Sequence, residues 1–317
     1  MKSDSPKVLH EVCGRPMLAY ALDACRLGGI DRIVVVVGHQ KELVVEAFDG
    51  HSDLTFVTQE EQKGTGHAVM FAEPVLKDFA GPVLVIAGDM PLIRSEIVSE
   101  LLSAHESAKA AVSLATTVLE DPTGYGRIVR GDGGQLEAIV EDRDCTDEQR
   151  NICEVNPSYY CFGGRDLFNS LKQVNPNNAK GEYYITDAVH ILVNAGRKAT
   201  APVNVPPEDA MGINSRADLA VVGGLMEGRI QRMHQDAGVT IVSPHQTWIQ
   251  SGASIGVETV IEPFSYVGVD CSIGRSCRIG PCAVMPAGAT LEDGEHWTRE
   301  RNAAGPEMSA SLGGRSG

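Results

Sequence analysis

Short apolar runs alternate with helical periodicity along the first part of the chain. "IVVVV" (Ile33–Val37), "LTFV" (Leu54–Val57), "VLVIAGD" (Val83–Asp89) and "AAVSLATTV" (Ala110–Val118) have the length and β-branched content of strands. Three of them are almost continuously apolar, as strands covered on both faces are. Between them, "RPMLAYALDACRLGG", "KELVVEAF" and "GHAVMFAEPVL" repeat apolar residues at helical spacing, and Gly28-Gly29 supplies a helix stop. Strands alternating with helices predict an α/β domain with a parallel, doubly wound (Rossmann-like) sheet. From about residue 120 to 205 the pattern changes to hairpins, "RIVRGDGGQLEAIVED" and "VNPSYYCFGG", with a helix around Thr186–Ala195. This stretch reads as the substrate-facing half of the same domain, which is assigned residues 1–228.

Beyond residue 236 the pattern is different. Ile249, Ile255, Ile261, Val267, Ile273, Ile279, Met285 and Leu291 recur at every sixth position. Two places before each stands a small residue, from Thr247 and Ala253 through Cys271 and Cys277 to Ala289, and glycine follows four of the eight aliphatic positions. Eight aligned hexads predict a short left-handed parallel β-helix over residues 239–294, three hexads to a coil. Residues 295–317 show no periodicity and are expected to be a disordered tail.

Composition narrows the function. Of 317 residues 43% are hydrophobic, enough for a sizeable core, and the formal net charge is −15. That charge argues against non-specific binding to nucleic acid or to an anionic membrane, but not against a phosphate held by a local cluster of donors. The eight cysteines form no C-x-x-C pair, and Cys13, Cys25, Cys145, Cys153 and Cys161 read as buried or half-buried thiols. With no membrane-length apolar stretch and no signal-peptide pattern, the expected location is cytoplasmic.

Four motifs carry candidate chemistry. In "SPKVL", Lys7 precedes an apolar helix; it can reach a phosphate, though in isolation a solvated helix-start residue is the simpler reading. In "QEEQKGTGHA", Gly64-Thr65-Gly66 allows a tight strand-to-helix turn with free backbone N–H groups at a helix start. His67 there reads as packed or hydrogen-bonded, not as a catalytic base. In "VLVIAGDMPLI", Asp89 ends an apolar strand, where doubly wound sheets bind ligands, and a carboxylate there suits a hard divalent cation. The competing reading is a helix N-cap. The last is a distributed set: "PTGYGRI" (Pro122–Ile128), "AIVED" (Ala138–Asp142), "EVNPSYY" (Glu154–Tyr160), "GEYYITD" (Gly181–Asp187) and "AMGINSR" (Ala210–Arg216). These groups can hydrogen-bond sugar hydroxyls or can be turns.

Taken in order and followed by hexapeptide repeats, these motifs closely resemble the bifunctional N-acetylglucosamine-1-phosphate uridyltransferase/glucosamine-1-phosphate acetyltransferase (GlmU-type) family. The resemblance to its uridyltransferase domain runs from Met1 to about residue 228. It implies a sugar-nucleotidyltransferase that joins UTP to N-acetylglucosamine 1-phosphate, a cell-wall precursor step, and releases pyrophosphate. It further implies a catalytic, phosphate-contacting role for Lys7 and uracil binding by Gln59, Gly64 and Thr65. Asp89 and Asn214 would hold Mg²⁺, and Gly126, Glu141 and Asn156 would grip the sugar. Relatives assemble as trimers through the hexapeptide helix, so a homotrimer is implied as well. Two alternatives stay open: a non-catalytic sugar-nucleotide-binding protein, and a uridylyltransferase for another sugar 1-phosphate. Acyl transfer by the repeats is disfavoured, since they are few and the nearest histidine, His245, precedes the first hexad.

The resemblance also implies a first strand and a glycine-rich phosphate loop with a catalytic arginine, and Met1 aligns with the methionine that closes that loop. The expectation is therefore that Met1 is a wrongly assigned start or a fragment boundary and that turnover by this chain is impaired. Loss of a central strand would leave two strand edges unpaired, each buried orphan group costing about 1–3 kcal/mol. Ala87, where relatives often carry an aromatic residue, and Pro157-Ser158, where Thr-Gly or Ser-Gly is common, depart from the family pattern.

Overall fold

The structure, a computed structural model, describes residue 1 and residues 3–302. They divide into two units: residues 1–10 with 17–214, and residues 11–16 with the chain from Ser215 onward.

In the first unit, α1 (Met17–Leu27) follows a short hairpin formed by β1 (Glu11–Val12) and β2 (Arg15–Pro16) that belongs to the other unit. Gly29, at φ 95°, ends α1, and its last carbonyls are taken by the N–H groups of Gly28 and Ile30. Leu18 and Leu22 of α1 pack with Val37, Val44 and Phe48, while Ala21 and Ala24 pack with Ile97 and Leu101. At about 1.5–3 kcal/mol for each fully buried large aliphatic side chain, this two-sided burial is what seats α1.

Strands β3 (Ile33–Val37) and β4 (Leu54–Thr58) pair in parallel and flank α2 (Lys41–Ala47). The expected helix over "GHAVMFAEPVL" is two helices, α3 (Thr65–Met70) and α4 (Glu73–Leu76), because Pro74 cannot continue the first. After β5 (Pro82–Val85) comes α5 (Ser95–Ala108), which the sequence reading did not anticipate. The core strand β6 (Val112–Val118) is buried except at its last residue. Then follow the hairpin β7 (Gly126–Arg130) and β8 (Leu136–Val140), helix α6 (Asp147–Arg150), β9 (Glu154–Asn156) and β10 (Tyr160–Gly163). Helices α7 (Gly164–Leu171) and α8 (Ile185–Asn194) and strand β11 (Ala199–Asn204) complete the unit.

The result is an α/β fold with a mixed, not a parallel, main sheet. Its seven strands run β5-β10-β6-β9-β7-β8, with β11 parallel to the other edge of β6. Strand β10 is antiparallel to both of its neighbours. The "VNPSYYCFGG" stretch is no hairpin either. Tyr160–Phe162 pair with Val112–Leu114, and Glu154–Val155 pair with Thr117–Val118, so β9 and β10 are two parts of one path along β6. Ser158, at φ 65°, makes the bulge between them, and the Tyr159 carbonyl accepts from Ala115 N–H at 3.0 Å.

Strands β3 and β4 form a sheet of their own. All residues of β3 and of β5 line one cavity of about 1230 Å³. Neither strand pairs with a neighbour on that side among the described residues, and all their side chains but Val37 are only half-buried despite being apolar. The Ile33 N–H and the Val37 carbonyl both bond toward the β4 side. Alternation along the strand therefore turns Val34 and Val36 to the slot.

In the second unit, α9 (Arg216–Asp236) starts at a capping box in which Ser215 and Asp218 exchange backbone-to-side-chain bonds of 3.1 and 2.8 Å. Ten two-residue strands follow, β12 (Thr240–Ile241), β13 (Trp248–Ile249), β14 (Ser254–Ile255), β15 (Val260–Ile261), β16 (Tyr266–Val267), β17 (Ser272–Ile273), β18 (Arg278–Ile279), β19 (Val284–Met285), β20 (Thr290–Leu291) and β21 (His296–Trp297). They sort into three parallel sheets, each strand pairing with the third one after it. The hexad aliphatics are buried, Ile249, Ile261, Val267, Ile279 and Met285 fully. Every sixth residue from Gly252 to Gly294 has positive φ, including Glu258, Phe264, Asp270, Ser276 and Cys282. These left-handed corners turn the chain from one sheet to the next, and glycine is not required at them. The repeat runs one strand past the expected limit of 294, to Trp297, and is followed by α10 (Arg299–Asn302); the rest of the expected tail, 303–317, lies outside the described residues. Cys153 is exposed, against expectation, in the irregular link that leads into β9.

The slot has a direct readout. In hydrogen exchange followed by NMR, the amides of Val34 and Val36 should exchange at least about tenfold faster than those of Ile33 and Val35. Equal protection of all four would mean that the slot edge is covered in solution.

Candidate active site

Asp89 lies in the turn after β5, four residues past Val85, and not on the strand itself. It is not a helix cap, since α5 begins at Ser95 with Arg94 before it. The Ile213 N–H donates to the Asp89 carbonyl at 3.0 Å, bringing the fully buried Ile213 and its neighbour Asn214 beside the turn. Lys7 arrives from a third part of the chain, on a one-turn 3₁₀ helix, Lys7–Leu9. Its ammonium donates to Asp89 Oδ2 and, at 3.0 Å, to Asn214 Oδ1. Three residues far apart in sequence thus converge on one cationic centre with two oxygen acceptors.

The glycine turn is shaped by the segment 183–185. Gly64, at φ 107°, precedes α3, and a Cβ there would stand 2.6 Å from the Tyr183 carbonyl oxygen. The Gly66 N–H is not free, as the sequence reading had it: it donates to Tyr183 O at 2.8 Å. The Thr65 hydroxyl accepts from Ile185 N–H at 3.2 Å. Gln59 is buried and lies 3.0 Å from His67 Nδ1, while the imidazole stacks on Tyr183 with centroids 5.7 Å apart. His67 is thus packed and hydrogen-bonded, as expected.

A third group surrounds Glu141, which follows β8. The buried Thr186 hydroxyl, at the start of α8, donates to Glu141 Oε1 at 3.0 Å. Loss of solvent pushes the Glu141 carboxyl above the usual carboxylate range, opposed by the Thr186 bond and by Lys180. Buried Tyr160 is pushed well above the ordinary tyrosine range by burial first and by the Glu141 charge second. Asn156 is buried too, and its amide is engaged inside the unit: Nδ2 donates to Tyr160 Oη at 2.5 Å and Oδ1 accepts from Ser158 N–H at 3.0 Å. Gly126 stands opposite Asn156 in the β7–β9 register, where a Cβ would come within 3.1 Å of Ile139.

Lys7, Thr65, Glu141, Ser158, Tyr160 and Ile185 all face the 1230 Å³ cavity. Gln59 opens instead onto a smaller recess of about 520 Å³ with residues 38–42. Gly126 and Asn156 are not among the residues that line the larger cavity. Sequence reasoning missed Tyr160 and Thr186 as individuals, although both lie inside the quoted motifs, and read Ser158 only as a departure from the family pattern. The one signal was a threonine on the apolar face of α8, where an aliphatic residue is the default. Among the described residues no group of three or more His, Cys, Asp or Glu side chains is arranged to hold a metal.

Residues 2–205 match the family model described as nucleotidyl transferase. The chain belongs to the nucleotidyl transferase family. It is 43% identical over 291 residues to the "Bifunctional protein GlmU" of Geobacter metallireducens, covering 92% of this chain and 61% of that protein. The protein of the same name from Halalkalibacterium halodurans is 42% identical over 89% of this chain and 61% of its own length. The chain therefore spans about three-fifths of these curated relatives. Among solved structures, a UDP-glucose pyrophosphorylase complexed with UDP-glucose superposes with a TM-score of 0.56 at 18% identity, over 71% of this chain and 91% of that one. At that identity the likeness shows the nucleotidyl transferase fold alone.

Two outcomes follow from this geometry. The folded state favours the neutral Glu141 carboxyl, so its contribution to stability is full below about pH 4.3, the ordinary glutamate value, and is lost as pH rises through the raised folded value. Glu141→Gln should therefore raise the melting temperature at pH 7, with the gain vanishing near pH 4; an equal gain at both pH values would contradict the assignment. Gly64→Ala should cost about 1–3 kcal/mol in urea unfolding, from the clash with Tyr183 O and the positive φ.

Proposed function

We propose that this chain is the uridyltransferase part of a GlmU-type enzyme, forming UDP-N-acetylglucosamine and pyrophosphate from UTP and N-acetylglucosamine 1-phosphate. The observation that carries the proposal is the convergence of Lys7, Asp89 and Asn214, in a chain 43% identical to a protein named GlmU. In this reading the sugar phosphate oxygen attacks the α-phosphorus in line and pyrophosphate leaves, with no covalent enzyme intermediate. One carboxylate and one amide oxygen already gathered on a cation are a donor set that suits Mg²⁺, a hard ion that takes its remaining ligands from water and phosphates. Asp89 and Asn214 would hold it, and when bound it supplies charge neutralisation at the phosphoryl oxygens. Lys7 contacts phosphate. Gln59, Gly64 and Thr65 hold the uracil, with the turn kept in shape by Tyr183 and Ile185. Gly126, Glu141 and Asn156 form the sugar subsite, where Thr186 aims the Glu141 carboxylate and Tyr160 fixes the Asn156 amide.

Two structural proposals accompany this. The three parallel sheets of the second unit are the faces of a left-handed parallel β-helix. Trp248, Tyr266 and Val284, stacked in register on one of them and all exposed, support self-association as a trimer. In the first unit, the slot between β3 and β5 is the place of one further strand. The support is its apolar lining and two facing unpaired edges, and any phosphate-binding loop that follows such a strand would emerge near Lys7. No described helix is long and apolar enough to cross a membrane.

The test is Mg²⁺-dependent pyrophosphate release from UTP and N-acetylglucosamine 1-phosphate. A chain extended at its start by a strand and a glycine-rich loop should turn over, and Asp89→Asn in that background should lower kcat/KM by about a hundredfold or more. Turnover with another sugar 1-phosphate in preference, or an extended chain that binds UTP without release, would redirect the proposal.

A further inference from the structure

Lys7 does more in this structure than wait for a phosphate. Its ammonium donates to Asp89 Oδ2 and to Asn214 Oδ1 together, and these are the two oxygens assigned above to a divalent cation. A magnesium ion requires its oxygen ligands at about 2.0–2.1 Å. An ammonium bonded to both oxygens competes with such an ion for their lone pairs and repels it at close range.

We propose that Lys7 is the resident counter-ion of the metal site: it closes the Asp89–Asn214 pair to free metal until a polyphosphate draws it away. This rests on the metal reading of that pair. Three features of the chain fit the role. Lys7 stands on a single 3₁₀ turn held by Leu9 N–H to Pro6 O at 3.0 Å and His10 N–H to Lys7 O at 3.2 Å, so its backbone is anchored while its four-carbon stem is free to swing. The side chain is 36% exposed, so the ammonium stays partly hydrated and its hold on the pair is screened. It also shares the lining of the 1230 Å³ cavity with Thr65 and Glu141, which Asp89 does not, so an anion bound beside those residues faces the ammonium and not the carboxylate. Departure of the ammonium toward phosphate leaves a carboxylate without its counter-charge at the moment a metal is needed beside the phosphates. Metal and nucleotide binding are then positively coupled, and the coupling is reciprocal.

The experiment is Mn²⁺ titration of the nucleotide-free chain, with free ion read by electron paramagnetic resonance. Lys7→Met keeps the apolar stem and removes the charge; it should bind Mn²⁺ about tenfold tighter or more than the unsubstituted chain. Lys7→Arg, which keeps a cation in place, should show no such gain. Lys63→Met serves as the control for net charge, since Lys63 pairs with Glu61 and should leave the affinity unchanged. Adding Asp89→Asn to Lys7→Met should abolish the gain. If Lys7→Met binds no tighter while Asp89→Asn weakens binding, the counter-ion role is overturned and the metal site stands. If Asp89→Asn changes nothing in the Lys7→Met background, the metal reading falls and takes this proposal with it. Should Lys7→Met fail to fold, crystals of the unsubstituted chain soaked in Mn²⁺ decide: metal on Asp89 with the Lys7 ammonium displaced supports the role, and both on the carboxylate together overturns it.

Discussion

One backbone hydrogen bond, from Ile213 N–H to the Asp89 carbonyl, joins the end of the first unit to the turn after β5. It sets Asn214 beside Asp89, so that the Lys7 ammonium has two acceptors instead of one. The bond is well protected. Ile213 is fully buried, and the chain just before it is fastened by Tyr159 Oη to Asp209 O at 2.6 Å and by Arg94 to the buried Asp209 carboxylate. Tyr159 in turn sits in the bulge that places β9 and β10 along β6. The cation-binding end of the site and the register of the main sheet are therefore one mechanical system.

The other end of the cavity depends on a different economy of polar groups. Glu141, Asn156, Tyr160 and Thr186 are largely withdrawn from water, and each is satisfied by another member of the set or by nearby backbone. Buried polar groups are stable only when so paired, and pairing gives them one orientation. The glycine turn obeys the same rule from the backbone side: Gly64 and Gly66 are small because the 183–185 segment passes against them, not only because a ligand must approach. Both motifs look like ligand-binding signatures in the sequence. In the structure they are first of all places where two segments lock together.

Much of the fold was legible because local pattern and tertiary environment agree. The hexads are the clearest case, since a repeat in which every coil contacts only its neighbours must write its spacing into the chain. Helix α5 was missed although Ile97, Val98 and Leu101 sit at helical spacing in it, and so was the mixed sheet, because strand direction leaves no local trace. The "VNPSYYCFGG" stretch illustrates the limit. Asn-Pro-Ser reads as a hairpin turn, yet the strand continues past it, since pairing with β6 on both sides outweighs the local turn preference.

The candidate site divides in the same way. The sequence by itself determined the residue types, their order and the resemblance those motifs carry, because the chemistry of a carboxylate, an amide or a glycine is a local property. It also determined the six-residue period and the apolar strands, which follow from what each side chain must bury. Only the tertiary structure decided that the Lys7 ammonium rests on Asp89 and Asn214, that the Asn156 amide is held by Tyr160 and Ser158, and that β3 and β5 face a common slot. Those outcomes depend on distances between segments remote in the chain, and such distances are set by the packing of the whole unit.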